Sequence, residues 1–276
     1  MSDLPRTVEI HEEGPREGFQ IEPGPISTVD KVKLIDALSK TGLKHIQACS
    51  FVNPRLVPGW ADAEKVVESF DAHEDVEYTG LYFNGNGLDR ALAFKDKLTI
   101  SGSISLTASE GFTKKNLNRT HAENMAAMER HVMSHLELGI PVNRIGVMAA
   151  FGCNYQGDIS PATVIKTLED GMQIAAKTGA EITLFSLADT MGWAAPHRIE
   201  RVVGEVRNVW PDMTISLHLH DTRGLAIANA YSALKMGVRQ FDSTVGGLGG
   251  CPFAGQPKAA GNICTEELVL LCEELG

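Results

Sequence analysis

A chain of 276 residues with 43% hydrophobic and 22% charged side chains is globular in composition and long enough for one large domain or two small ones. Its net charge of -10, with no cluster of five or more Lys or Arg, excludes a general nucleic-acid binder, because neutralising phosphates needs basic patches. No apolar run reaches the roughly 18 residues of a membrane span, and Met1 to Arg6 has neither the basic start nor the apolar core of a signal peptide, so a cytoplasmic protein is expected.

Strand-like segments fall at Thr7 to Glu12, Lys44 to Phe51, Glu77 to Phe83, Leu98 to Thr107, Arg144 to Phe151, Glu181 to Asp189, Thr214 to Asp221 and Gln240 to Val245. Helical patterns separate them. Thr28 to Lys40 carries Val32, Ile35 and Leu38 on one face behind a Ser27 cap, and Pro161 to Lys177 follows a Ser160 cap with proline at its first position. Gly42, Gly139 and Gly179 are expected to stop helices. Complete alternation of strand and helix predicts a parallel sheet with helical crossovers. Its eightfold count predicts an α/β fold of the TIM (β/α)8 barrel type, spanning residues 1–276 as a single catalytic domain. The competing doubly wound sheet usually announces a glycine-rich phosphate loop after its first strand, and Gly14-Pro15-Arg16-Glu17-Gly18 is not that motif.

In a barrel the reactive groups stand at the C-terminal ends of strands, which selects the residues worth weighing. After the first strand comes His11-Glu12-Glu13-Gly14-Pro15-Arg16-Glu17-Gly18. Taken alone it reads as a solvated turn whose glutamates face water; in a barrel mouth Glu17 can instead complete a metal shell while Arg16 meets a developing oxyanion. Cys49 and Ser50, Ser105 and Thr107, and Asp189 and Thr190 end later strands and fit a wet mouth. Lys114 and Lys115 offer cations near the rim, though a lysine pair is more often solvated surface. Met148, Phe151, Phe185 and Trp193 are candidates for an acyl pocket or, more commonly for such residues, for core. The strongest signal is Leu217-His218-Leu219-His220-Asp221-Thr222: strand side chains alternate, so both imidazoles point the same way and can share one metal ion. The run Gly246-Gly247-Leu248-Gly249-Gly250-Cys251-Pro252 permits backbone conformations closed to other residues and suits a loop closing over substrate, with Cys251 available for proton transfer. Cys49, Cys153, Cys251, Cys264 and Cys272 form no C-x-x-C pair, so reduced thiols are expected. Asn262 adds a neutral oxygen ligand near the start of the last helix.

Gly14-Pro15-Arg16-Glu17-Gly18, the pair His218 and His220 before Asp221-Thr222, and Gly247-Leu248-Gly249-Gly250-Cys251-Pro252-Phe253 occur in the order seen in 3-hydroxy-3-methylglutaryl-CoA lyases, and the chain closely resembles that family. Ser50-Phe51-Val52, Phe112-Thr113-Lys114-Lys115-Asn116, Gly152-Cys153, Asp189-Thr190 with Gly192, and Gly261-Asn262 extend the similarity over nearly the whole sequence. The resemblance implies a TIM barrel with a divalent cation, Mg or Mn first and Zn or Co next, held by Glu17, His218, His220 and Asn262. It implies catalytic roles for Arg16, which would stabilise enolate charge, and for Cys251 as the loop cysteine. Asp189 and His218 are further catalytic candidates, with the role of base open between Asp189 and a metal-bound water. The family has aspartate where this chain has Glu17, and usually glutamate where it has Gln47. The chain ends at Gly276, where relatives commonly continue.

The expected reaction is a retro-Claisen cleavage of a short 3-hydroxy acyl-CoA such as 3-hydroxy-3-methylglutaryl-CoA, giving acetyl-CoA and a keto acid such as acetoacetate. The expected partner is that small molecule, with no nucleic acid and no membrane, and a homo-oligomer is compatible. Two rival readings are a lyase for another 3-hydroxy acyl-CoA such as citramalyl-CoA, and a catalytically inactive barrel that binds acyl-CoA or a protein. His220 as base is disfavoured because a bound imidazole has already given up its lone pair.

Overall fold

The computed structural model describes residues 4–21, 24, 26–250 and 261–276. Eight strands, β1 (Glu9–Glu12), β2 (His45–Ser50), β3 (Glu77–Leu81), β4 (Gly102–Thr107), β5 (Val142–Met148), β6 (Leu184–Ala188), β7 (Thr214–His218) and β8 (Gln240–Ser243), form one parallel sheet in the order β3-β2-β1-β8-β7-β6-β5-β4. This is the order of a TIM barrel, in which β1 and β8 are neighbours. Most observed strands are shorter at their C-terminal ends than the sequence suggests, because those ends splay into the loops that carry the polar residues.

The sheet's two terminal strands, β3 and β4, meet at a seam without a strand ladder among the described residues. Thr99 N donates to Tyr78 O at 2.8 Å, and Tyr82 Oη donates to Ser101 O at 2.8 Å while lying 3.1 Å from His135 Nε2. These bonds bridge the gap.

A short turn, α1 (Phe19–Ile21), is followed by α2 (Thr28–Leu38), α3 (Ala63–Ser69), α4 (Gly85–Leu92), α5 (Glu110–Leu117), α6 (His121–Glu137), α7 (Pro161–Thr178), α8 (Pro196–Val209), α9 (Ala226–Lys235) and α10 (Thr265–Leu275). The expected caps form: Ser27 accepts from Asp30 N at 3.1 Å, Ser160 from Thr163 N at 3.2 Å, and Gly179 ends α7 in the left-handed region. The face of α2 read as Val32, Ile35 and Leu38 is widened by Lys31, which is 2% exposed; its ammonium pairs with Asp62, donates to Gly59 O and lies 4.7 Å from the Trp60 ring.

Strand alternation divides the barrel by chemistry. Phe185 and Leu187 on β6, Ile215 and Leu217 on β7 and Phe241 on β8 join the large core shared with the helices. Ser186, Ser216, Gln240 and Asp242 fall at the other parity, and Arg144 Nη2 reaches Ser186 Oγ at 2.7 Å and Asp242 Oδ2 at 3.6 Å. The lumen is therefore polar where many barrels stack branched aliphatic residues. A smaller core of Ile35, Ile46, Ala48, Cys49, Trp60 and Tyr78 supports the β1 to β3 side. Among the described residues no helix is long and apolar enough to cross a membrane.

Candidate active site

After β1 the chain makes a single wide helical turn, Gly14–Gly18, that turns Arg16 and Glu17 into the mouth. The solvated-turn reading of this segment does not hold, since Glu12, Glu13 and Glu17 are 0%, 7% and 8% exposed. Glu12 is the anchor: it accepts from Gly14 N at 2.7 Å, Val245 N at 2.9 Å and Thr265 Oγ1 at 2.6 Å, tying β1 to the β8 loop and α10. Burial raises its pKa against those hydrogen bonds. The turn is fixed from the other side by Trp60 Nε1, which donates to Arg16 O at 2.9 Å.

The Arg16 guanidinium donates through Nε to Gln47 Oε1 and through Nη2 to Glu13 Oε2 at 2.7 Å, and lies 3.1 Å from Glu17 Oε2. Burial alone would raise the Glu17 pKa, but Arg16 and the two histidines outweigh it and hold the carboxyl well below its ordinary value. Burial pushes Glu13 up to about 7 despite Arg16.

Glu17, His218 and His220 bring one donor atom each to within 4.8 Å of one another. His218 Nδ1 faces Asp242 Oδ2 at 3.2 Å and Glu13 Oε2 at 3.6 Å, a histidine–carboxylate pairing that leaves the other ring nitrogen for a ligand. Burial disfavours a charged His218 ring, yet the Asp242 hydrogen bond with Glu17 and Glu13 pushes its pKa up to about 9. A metal held there would have to displace a proton. His220 Nδ1 pairs with the Asp189 carbonyl at 2.7 Å, and its Nε2 is buried with no hydrogen-bond partner, 3.9 Å from Glu17 Oε1.

Asn262 lies before α10, bridged to His220 across the mouth. Its Nδ2 donates to Leu248 O at 3.0 Å, which fixes the amide and leaves Oδ1 buried without a partner. Two orphaned buried acceptors beside one carboxylate and a second imidazole are what a divalent cation would satisfy, so the donor set fits. The glycine-rich loop crosses directly above: at Gly249, with φ of 81°, a Cβ would stand 2.8 Å from both Glu17 Cγ and Asn262 Nδ2, so only glycine allows this approach. Cys251 lies outside the described residues.

The HMGL-like family matches residues 7–276. The chain belongs to that family. It is 36% identical to hydroxymethylglutaryl-CoA lyase YngG of Bacillus subtilis over 98% of this chain and 87% of that protein. A solved Bacillus subtilis HMG-CoA lyase superposes with a TM-score of 0.88 at 36% identity, covering 100% of this chain and 88% of that one. An HMG-CoA lyase from A. baumannii, solved with coenzyme A and 3-methylmalate, gives a TM-score of 0.84 at 36% identity over 100% of this chain and 86% of that one. HMGL-like membership and these full-length matches make the chain a carbon–carbon lyase.

Several expected residues lie away from the cluster. Cys49 is fully buried in the smaller core, where burial raises its thiol pKa. Phe151 and Phe185 belong to the large core, Phe185 edge-on to Trp210 at 5.1 Å, while Met148 and Trp193 pack around a small cluster with Phe112 and Cys153. Lys114 and Lys115 are solvent-exposed on α5. Thr107 accepts from Ser109 N at 3.2 Å, and Thr190 from the backbone N of Ala149, whose φ is 56°. Asp189 uses Oδ1 to accept from Trp193 N and Ala194 N at 2.7 and 2.9 Å; its Oδ2 is buried and unpartnered, and burial raises its pKa to about 6. Sequence reading missed Asp242 and Trp60 and left Glu13 in water. A lone acid within Phe241-Asp242-Ser243, at the parity that faces the lumen, was the available signal for the first.

Proposed function

We propose that this chain is a divalent-metal-dependent lyase that cleaves 3-hydroxy-3-methylglutaryl-CoA, or a close 3-hydroxy acyl-CoA, to acetyl-CoA and a keto acid such as acetoacetate. The reading is carried by the convergence of Glu17, His218 and His220 with the unpartnered Nε2 of His220 and Oδ1 of Asn262. Glu17, His218, His220 and Asn262 would hold the cation, with Mg or Mn suited to two oxygen donors and added waters. A cation there supplies Lewis-acid polarisation of the substrate's tertiary hydroxyl.

The chain's own groups do the rest. A carboxylate with a free oxygen removes the hydroxyl proton, and Asp189 Oδ2 has no other partner. As the alkoxide collapses to the ketone, the bond between C2 and C3 breaks and its electron pair passes to the thioester as an enolate. Arg16, locked by Glu13, Glu17 and Gln47, presents its guanidinium to that oxygen. Cys251 returns a proton to C2, which balances the proton lost from oxygen. His218, paired with Asp242, serves as ligand and fixes the polarity of the mouth. The unpaired described cysteines suit a reducing cytoplasm.

The test is turnover of 3-hydroxy-3-methylglutaryl-CoA and citramalyl-CoA by purified protein, stripped and then reloaded with Mg or Mn. Cleavage of the former that vanishes in Glu17→Gln supports the reading. Turnover of citramalyl-CoA alone moves the substrate assignment to the rival lyase, and inertness toward both with metal bound overturns it.

A further inference from the structure

At the opposite end of the barrel from the mouth, the strand register assembles a second group of donors. Glu9 opens β1 and His45 opens β2; the ladder sets His11 beside His45 and His45 beside Glu77, so these side chains meet at one level. Glu9 Oε1 stands 2.9 Å from Nε2 of both His11 and His45. The two rings stack with centroids 4.2 Å apart, so their Nε2 atoms face one carboxylate from the same side.

The opposite nitrogens are turned to outer carboxylates. His45 Nδ1 lies 3.2 Å from Glu77 Oε2, and His11 Nδ1 lies 4.0 Å from Asp242 Oδ1, an oxygen buried without a hydrogen-bond partner. A carboxylate behind the far nitrogen, as Glu77 is for His45, is how a metal-binding histidine is oriented and kept in the ligating tautomer. We propose that Glu9, His11 and His45 form a second divalent-cation site, of the zinc class, at the floor of the barrel and separate from the mouth.

Two imidazoles with one carboxylate favour zinc or a similar borderline ion over Mg, and three protein donors leave a fourth position for water. The space exists: a cavity of about 350 Å³ is lined by Glu9, His11, His45, Gln240 and Arg144. Gln240 Nε2 approaches His11 Nε2 at 2.9 Å and bounds it. Zinc bonds of about 2.0–2.1 Å set tetrahedral donors about 3.3 Å apart. The observed 2.9 Å needs a small outward movement of Glu9, whose side chain is 48% exposed, and displacement of the Gln240 amide from His11 Nε2. Asp242 joins the two levels, with Oδ2 on His218 of the mouth and Oδ1 toward His11 of the floor.

The experiment is zinc stoichiometry of the full chain by calorimetry with zinc alone, paired with cobalt spectroscopy. Wild type is expected to bind two equivalents. His45→Asn and Glu9→Gln should each bind one and lose the tetrahedral cobalt bands while keeping the mouth ion. His220→Asn should also bind one but keep those bands. Glu9→Gln changes a half-exposed side chain and leaves the test open should His45→Asn fail to fold. Wild type binding one equivalent, abolished by His220→Asn and unaffected by Glu9→Gln, would show that only protons occupy the floor cluster. That outcome would leave the lyase reading intact.

Discussion

Arg16 is held by partners chosen for a flat, forked cation: an amide oxygen on Nε and carboxylates on Nη2. Lysine would keep the charge but lose the fork, so Arg16→Lys should lower kcat by about 10²–10³ with metal stoichiometry unchanged, as steady-state kinetics beside calorimetry would show. Gly249 is the complementary case. A methyl there collides with Glu17 and Asn262 at a positive φ, so Gly249→Ala should weaken metal binding by about tenfold or more while leaving the circular dichroism spectrum intact. At this scale much was legible. The H-x-H spacing placed both imidazoles on the same side because strand parity is a local rule, and Arg16 and Glu17 joined them from their place after the first strand. Glu13 was not legible, since its burial is set by His218 on β7, far away in sequence, and Asp242 was signalled only by strand parity, because its partner Arg144 comes from β5.

Elements inherit their positions from caps and from single buried polar contacts. Ser27 and Ser160 each satisfy one backbone N–H at a helix start, so replacing either by alanine should cost about 1 kcal/mol in denaturant unfolding. Trp60 is fully buried and its indole N–H holds the Arg16 carbonyl. Trp60→Phe should therefore cost about 1 kcal/mol and reduce kcat more than KM, because the turn bearing Arg16 loses its brace. The strand positions were readable from alternation, but their ends were not: polar residues past each strand continue the pattern in sequence while the backbone has already left the ladder. Cys49 shows the same limit, since at β2 a register irregularity between Gln47 and Cys49 turns the expected mouth residue into core.

For the whole molecule, the cation proposed at the mouth would join the turn after β1 to the end of β7 and the segment before α10, so its binding would be linked to folding. Removing the metal with a chelator should abolish activity and lower Tm by roughly 5–10 °C if the ion was held at a hundred times its Kd, a stabilisation of about 2.7 kcal/mol; a melting scan before and after readdition checks it. The seam between β3 and β4 has a different consequence. Every other neighbouring pair of strands is stitched by a ladder, whereas this one is spanned by Thr99 and by a single phenol at Tyr82. Deuterium should enter the amides along those two facing edges ahead of the β6 and β7 amides, making this line the place where the cylinder first unzips.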